Sequence, residues 1–155
     1  MFSNQYFMKI ALQNAEKAYE NGEVPVGAVI VGPNNEIVGQ GFNQVISKAD
    51  STAHAEIVAL REANKYYKNY RLPKGSSLYV TLEPCIMCLG ALLHARLENL
   101  IIGTRDYKTG ACGGNLSIHS SDLNHHMNTS VGVMAEECSE ILKKFFRERR
   151  IVKDI

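Results

Sequence analysis

Two short strings set the strongest constraint on how this chain can fold: His54-Ala55-Glu56, and Pro84-Cys85-Ile86-Met87-Cys88. One imidazole and two thiolates are donors that hold Zn²⁺ tetrahedrally, and three protein donors leave the fourth position open to water. They work only if they converge, so the segments around residues 54 and 85 must be neighbours in space. Cys85 and Cys88 stand at i and i+3, on one face of a helix that the spacing starts at Pro84, where a missing N–H costs nothing. The N-terminus of a helix favours negative charge and therefore thiolate. Ser51-Thr52 ahead of His54, with Ile57, Val58 and Leu60 behind it, put His54 at a second helix start. The expected fold thus aims two helix N-termini at one ion. Glu56 lies too close to His54 along the turn to share its direction, and is placed to hang over the metal's water as general acid and base.

Each string has a bland reading when taken alone. A histidine can sit at a helix start without binding metal, and Cys-x-x-C occurs in redox pairs and structural zinc sites. A purely structural site has no use for Glu56 and needs a fourth protein ligand, for which Cys112 is the one plausible loop residue. The rival from a different class is a non-catalytic, zinc-stabilised RNA-binding or accessory subunit, against which Glu56 speaks.

In 155 residues, 45% of them hydrophobic, there is material for one core, so residues 1–155 are expected to form a single domain. Asn4, Gln5, Lys9, Gln13, Asn14 and Glu16 interrupt the N-terminal segment, which leaves no apolar run for a signal peptide, and no stretch is long enough to span a membrane. Four cysteines, two of them in a ligand motif, suit a metal site in a reducing compartment, by default the cytoplasm. A net charge of +1 makes nucleic-acid binding depend on where charges cluster.

Phe7, Ile10, Ala11, Ala15 and Ala18 recur at helical spacing and Asn21-Gly22 should stop that helix. Residues 26–31 and 36–41 read as a hairpin about the turn Gly32-Pro33-Asn34-Asn35. A helix over 53–67 leads to a strand over 77–82, then the metal helix to about Arg96, then a strand over 99–103. That β-α-β unit should have a right-handed crossover and parallel strands. Residues 104–121, rich in Gly, Ser and Thr, read as a functional loop over the site. A short strand over 131–134 and a helix over 136–152 close the chain. The fold class is α/β, a three-layer α/β/α sandwich on a mixed sheet of about five strands.

The pairing of H-x-E with P-C-x-x-C resembles the signature of zinc-dependent nucleobase deaminases, a class for which the tRNA adenosine deaminases are themselves a type example. Further blocks narrow the likeness: Glu23-Val24-Pro25-Val26-Gly27-Ala28-Val29, Asn69-Tyr70-Arg71-Leu72, Arg105-Asp106 with Lys108-Thr109-Gly110-Ala111, and Phe145-Phe146-Arg147 with Arg149-Arg150. Over nearly its whole length the chain resembles the bacterial tRNA-specific adenosine deaminases, in the cytidine-deaminase-like superfamily. The zinc motif is common to that superfamily, so the loop and C-terminal blocks carry the finer likeness. The resemblance implies hydrolytic conversion of adenosine to inosine at the wobble position of a tRNA anticodon, an arginine tRNA in the bacterial case. It implies one zinc per subunit on His54, Cys85 and Cys88, proton transfer by Glu56, and a homodimer. It also implies that Asn43 hydrogen-bonds the flipped base, in a pocket lined by Val26 and the backbone at Ala55.

Lys143, Lys144, Arg147, Arg149, Arg150 and Lys153 face only Glu148 and Asp154, a basic strip beside Phe145 and Phe146. Such a strip suits phosphate pairing and base stacking by a splayed anticodon stem-loop, with one phenylalanine expected in the core. The bland reading is a solvated helix end, where lysine and arginine are favoured anyway. Arg105, Asp106 and Lys108 form either an ordinary turn or contacts to the nucleotides flanking the target. Cys112 reads as a loop thiol and Cys138 as a half-buried helix residue. His119, His125 and His126 read as polar loop residues, and His94 lies too far along the helix from Cys88 to reach the metal. A deaminase of a free base or nucleoside remains the rival enzyme, because it would use the same zinc chemistry without a basic C-terminal helix.

Overall fold

The strands of this chain alternate their side chains between two apolar layers, and that alternation builds the molecule. In the computed structural model, which describes residues 3–153, the helices are α1 (Asn4–Glu20), α2 (Ala55–Tyr67), α3 (Ile86–His94) and α4 (Ala135–Lys153). The strands are β1 (Gly27–Val31), β2 (Ile37–Phe42), β3 (Ser77–Leu82), β4 (Asn99–Thr104) and β5 (Asn128–Val131). The side chain of Lys153, and Asp154, lie outside the described residues. The five strands form one mixed sheet in the order β2-β1-β3-β4-β5. β1 pairs antiparallel with β2 and β3, whereas β3–β4 and β4–β5 are parallel. With a period of two, Ala28, Ile30, Leu78, Val80, Leu100 and Ile102 pack with α2 and α3, and Val29, Val31, Tyr79 and Ile101 pack with α1 and α4. This is the expected three-layer α/β/α sandwich.

Close approach fixes where α2 lies. A Cβ on Gly41 would fall on the carbonyl oxygen of Ala55, and one on Gly39 would fall on that of Ala59. The absence of side chains on this face of β2 lets α2 rest on strand backbone, which sets its first turn, and so His54, beside the end of the hairpin. Leu89 and Leu92, fully buried, anchor α3 on the same side of the sheet, each contributing about 1.5–3 kcal/mol.

Three elements differ from expectation by two residues or more. α2 starts at Ala55 rather than Ala53, because Asp50 Oδ1 accepts from both the N–H and the hydroxyl of Thr52 and holds residues 50–53 in a turn. α3 starts at Ile86 rather than Pro84 and ends at His94 rather than Arg96. Cys85 is extended (φ −75°, ψ 175°) because its backbone bridges to Gly110, and Arg96 has a left-handed φ of 62°. β5 occupies Asn128–Val131 rather than 131–134. Its register, from Asn99↔Asn128 to Ile102↔Val131, continues the parallel sheet through a polar edge strand, while Gly132 (φ 112°) and Met134 (φ 55°) turn the chain into α4. Apolar content pointed to the wrong segment because an edge strand need not be apolar. Among the described residues no helix is long and apolar enough to cross a membrane.

Candidate active site

The N-termini of α2 and α3 meet, as the two motifs require. His54 is the N-cap residue of α2 and Cys85 that of α3, with Cys88 in the first turn beyond. His54 Nδ1 lies 3.6 Å from Cys85 Sγ and 3.4 Å from Cys88 Sγ. Tetrahedral zinc with bonds of about 2.3 Å to sulfur and about 2.0 Å to nitrogen puts the two donor types about 3.5 Å apart. The three donors therefore fit a zinc ion, one per subunit. Among the described residues they are the one group of three or more potential ligands; Cys112 and His94 stand outside it. With three protein ligands the site keeps an open position, so the structural-zinc alternative loses its fourth ligand.

Of the three donors, Cys85 is the one drawn toward the deprotonated form that a metal requires. The Cys85 thiol is drawn down to about 4, first by a hydrogen bond from Cys88 and then by one with His54, against the opposing effect of burial. Cys88 is pushed up as the proton-holding partner of that pair, with burial adding to the rise. His54 is raised, first by its hydrogen bond with Cys85 and then by the nearby charge of Glu56. Glu56, only 4% exposed, is pushed up to about 7, chiefly by burial. A carboxyl that titrates near neutrality suits a group that must both take and return a proton.

A cleft of about 400 Å³ opens at the site, lined by His54, Glu56 and Cys85 with Val26, Asn43 and Asp106. Asn43 Oδ1 accepts from the Ala55 N–H at 2.8 Å, so this side chain ties the end of the hairpin to the first turn of α2. Val26 gives its carbonyl to the Asn43 N–H, and Ala55 is fully buried behind the cleft wall. Beyond the cleft lies a groove of about 1020 Å³ between residues 104–109 and α4, lined by Arg105, Lys108, Phe146, Arg147 and Arg150 among others. Val24, Ile46, Leu82, Asp106 and Thr109 line both spaces.

Within the groove the predicted residues divide. Phe145 is core, 6% exposed against Tyr19, whereas Phe146 is 47% exposed. Arg149 donates to the Gly22 carbonyl and lies over the Phe145 ring at 4.7 Å, binding α4 to the end of α1. Arg147 and Arg150 are exposed and have no ion-pair partner among the described residues. Asp106 spends its carboxylate on the N–H groups of Lys108 and Thr109 and on the Thr109 hydroxyl, an Asx turn that holds Lys108 outward. Arg105 donates to the Cys112 carbonyl. Cys112 and Cys138 are both buried, Cys138 completely, beyond the half-burial expected of it. His125 and His126 are engaged with the carbonyls of Leu97 and Ser121.

Two buried carboxylates at the cleft carry roles that the sequence reading missed. Glu23 accepts from the N–H groups of Ile46 and Ser47, and Glu83 from those of Asp106, Cys112 and Gly114. Glu23 opens one of the quoted blocks and Glu83 directly precedes Pro84-Cys85, but nothing in their spacing marks what they hold, because their partners are backbone groups on distant loops.

Comparison with known proteins agrees with this geometry. The family described as the cytidine and deoxycytidylate deaminase zinc-binding region matches residues 1–104. Fold and ligand set together define a zinc-dependent deaminase of the cytidine-deaminase-like class. A tRNA-specific adenosine deaminase of Haemophilus influenzae is 49% identical over 153 residues, covering 98% of this chain and 88% of that protein. One of Bacillus subtilis is 43% identical over 152 residues, covering 97% and 92% respectively. A structure solved in work on A-to-I editing by tRNA:A34 deaminases superposes with a TM-score of 0.84 at 40% identity, over 88% of this chain and 99% of that one. The chain belongs to the tRNA-specific adenosine deaminase family.

Proposed function

We propose that this enzyme, acting as a single catalytic domain, converts adenosine to inosine at the wobble position of a tRNA anticodon, with an arginine tRNA as first substrate. The observation that carries this reading is the continuity of the zinc cleft with the basic, aromatic groove along α4. A free base would need only the cleft. A splayed anticodon loop extends either side of its flipped base, and a groove offering Phe146 for stacking with Arg147, Arg150 and Lys108 for phosphates suits those flanks. Residues of such a loop are already unpaired, so extrusion of the target costs a few kcal/mol or less, about the low end for base flipping.

When bound by His54, Cys85 and Cys88, zinc supplies the Lewis acid that makes a water molecule nucleophilic near neutral pH. Glu56 takes a proton from that water as its oxygen bonds to C6 of adenine, and delivers the proton to N1. Glu56 then moves the remaining hydroxyl proton to the exocyclic nitrogen, the C6–N6 bond breaks, and ammonia leaves as the C6 carbonyl forms. Asn43, with its oxygen committed to Ala55, offers its amide N–H₂ to the base. Val26 forms the pocket wall.

Location in the cytoplasm follows from this substrate. A homodimer is part of the same reading, supported by the open outward face of α3, where Ile86 is exposed and a Cβ on Gly90 would meet nothing within 4 Å; sedimentation of the zinc-loaded protein tests it.

The test of function is inosine formation in an anticodon stem-loop by wild type and Glu56→Ala at equal zinc content, with cytidine and guanine as competitors. Inosine from wild type is expected, with at least a ~100-fold loss in the variant, the lower range for a positioned acid–base group. Ammonia released from a free base or nucleoside, with the RNA untouched, would place the enzyme among small-molecule deaminases.

A further inference from the structure

Glu83 stands where the metal-binding turn meets the loop that walls the groove. It follows Leu82 at the end of β3 and precedes Pro84 and the ligand Cys85, and it is 3% exposed. Its Oε1 accepts from the Asp106 N–H at 3.1 Å, and its Oε2 accepts from Cys112 at 2.8 Å and Gly114 at 2.9 Å. Backbone bonds reinforce the junction: Glu83 N–H to the Thr104 carbonyl, Ala111 N–H to the Pro84 carbonyl, and the Cys85–Gly110 bridge. A Cβ on Gly110 would fall on Glu83 Oε2, and one on Gly114 would fall against Glu83 Oε1 and the Asp106 carbonyl. Chain and carboxylate are fitted to each other without slack.

We infer that Glu83 is a positioning residue for substrate recognition, registering the loop over residues 105–114 on the zinc-ligand turn. The chain of contacts is short. Glu83 fixes the backbone at Asp106, the Asp106 carboxylate fixes the turn to Thr109, and that turn presents Lys108 to the groove and Thr109 to the rim shared by cleft and groove. Three amide donors on one buried carboxylate are charge-assisted bonds, stronger than those to a neutral acceptor. Gln at this position can keep Cys112 and Gly114 on its carbonyl oxygen, but its N–H₂ must then face the Asp106 N–H, donor against donor. The substitution therefore releases the Asp106 arm first. Glu83 stands outside the metal-ligand group and its oxygens are taken up by backbone N–H groups, so its effect belongs in binding of the flanking strand rather than in the chemical step.

The inference rests on the RNA reading above, and its test separates the two. Zinc-loaded wild type, Glu83→Gln and Gly114→Ala are compared for KM and kcat on the anticodon stem-loop, for zinc content, and for amide deuterium uptake over residues 105–114. Glu83→Gln should raise KM about tenfold, as expected for loss of one charge-assisted hydrogen bond. It should change kcat far less, keep its zinc, and take up deuterium faster across that loop. Gly114→Ala, which pushes on the same junction with the carboxylate intact, should give the same split. Unchanged uptake in both variants, or kcat falling in step with zinc content at constant KM, overturns the inference. If wild type forms no inosine, the RNA reading fails, while the uptake result still decides whether Glu83 registers the loop.

Discussion

Glu23 shows how a single buried carboxylate can hold a wall of the site, and how acid should release it. Burial pushes its carboxyl up, but the N–H groups of Ile46 and Ser47, the Ser47 hydroxyl and the charge of Arg149 together outweigh that effect and hold it below the usual range. A depressed folded value means that folding favours the ionised form. Its stabilisation is therefore complete above the unfolded value, about 4.3, and is lost as pH falls below that value through the folded one. Thermal melts of wild type and Glu23→Gln should differ most at neutral pH and converge below about pH 4, with the zinc ligands titrating alike in both proteins. A gap that stays constant through acid would rule out a charged role for Glu23. His54, Cys85 and Cys88 were legible in the sequence as one ligand group, and Glu56 as the carboxylate beside it, because side-chain type and local spacing mark them. Glu23 and Glu83 were not, since a carboxylate that serves distant backbone N–H groups looks in sequence like any other acid.

Elements were legible where their own residues decide them. The apolar period of α1 and the turn residues of the hairpin mark those elements locally, and both fall where expected. The start of α3 and the position of β5 are decided by partners instead: a bridge from Cys85 to Gly110 in one case, parallel pairing with β4 in the other. The seat of α2 on β2 is also a matter of partners, and it sets the metal site. In Gly41→Ala the new methyl must displace the carbonyl of Ala55, which adjoins His54. Overpacking of this kind costs about 1–3 kcal/mol, and here the strain falls on the first turn that carries the imidazole. The variant should melt lower and release zinc more readily to a chelator than wild type. A lower melting temperature with unaltered zinc retention would show that α2 absorbs the methyl away from His54.

At the scale of the whole molecule, the sheet places the metal turn at the end of β3 and lays α4 along β4, so that the metal cleft runs into the groove along α4. The sequence marked the basic strip of α4, but could not divide it, because adjacent arginines differ only in what they face after packing. All three are exposed, but Arg149 is spent on Gly22 and Phe145, whereas Arg147 and Arg150 have no ion-pair partner among the described residues. Salt should read this division. Each phosphate contact to single-stranded RNA contributes about 0.7 to the slope of log affinity against log salt. Arg147→Ala combined with Arg150→Ala should therefore flatten the slope for an anticodon stem-loop by about 1.4, and leave the melting temperature nearly unchanged. Arg149→Ala should do the opposite, keeping the slope and lowering stability by about 0.5–1 kcal/mol through the lost ring contact alone. Binding titrations at several salt concentrations, paired with melts, separate the two classes. Equal slope changes from all three arginines would mean that RNA draws Arg149 away from Gly22, and that the joint between α1 and α4 opens when substrate binds.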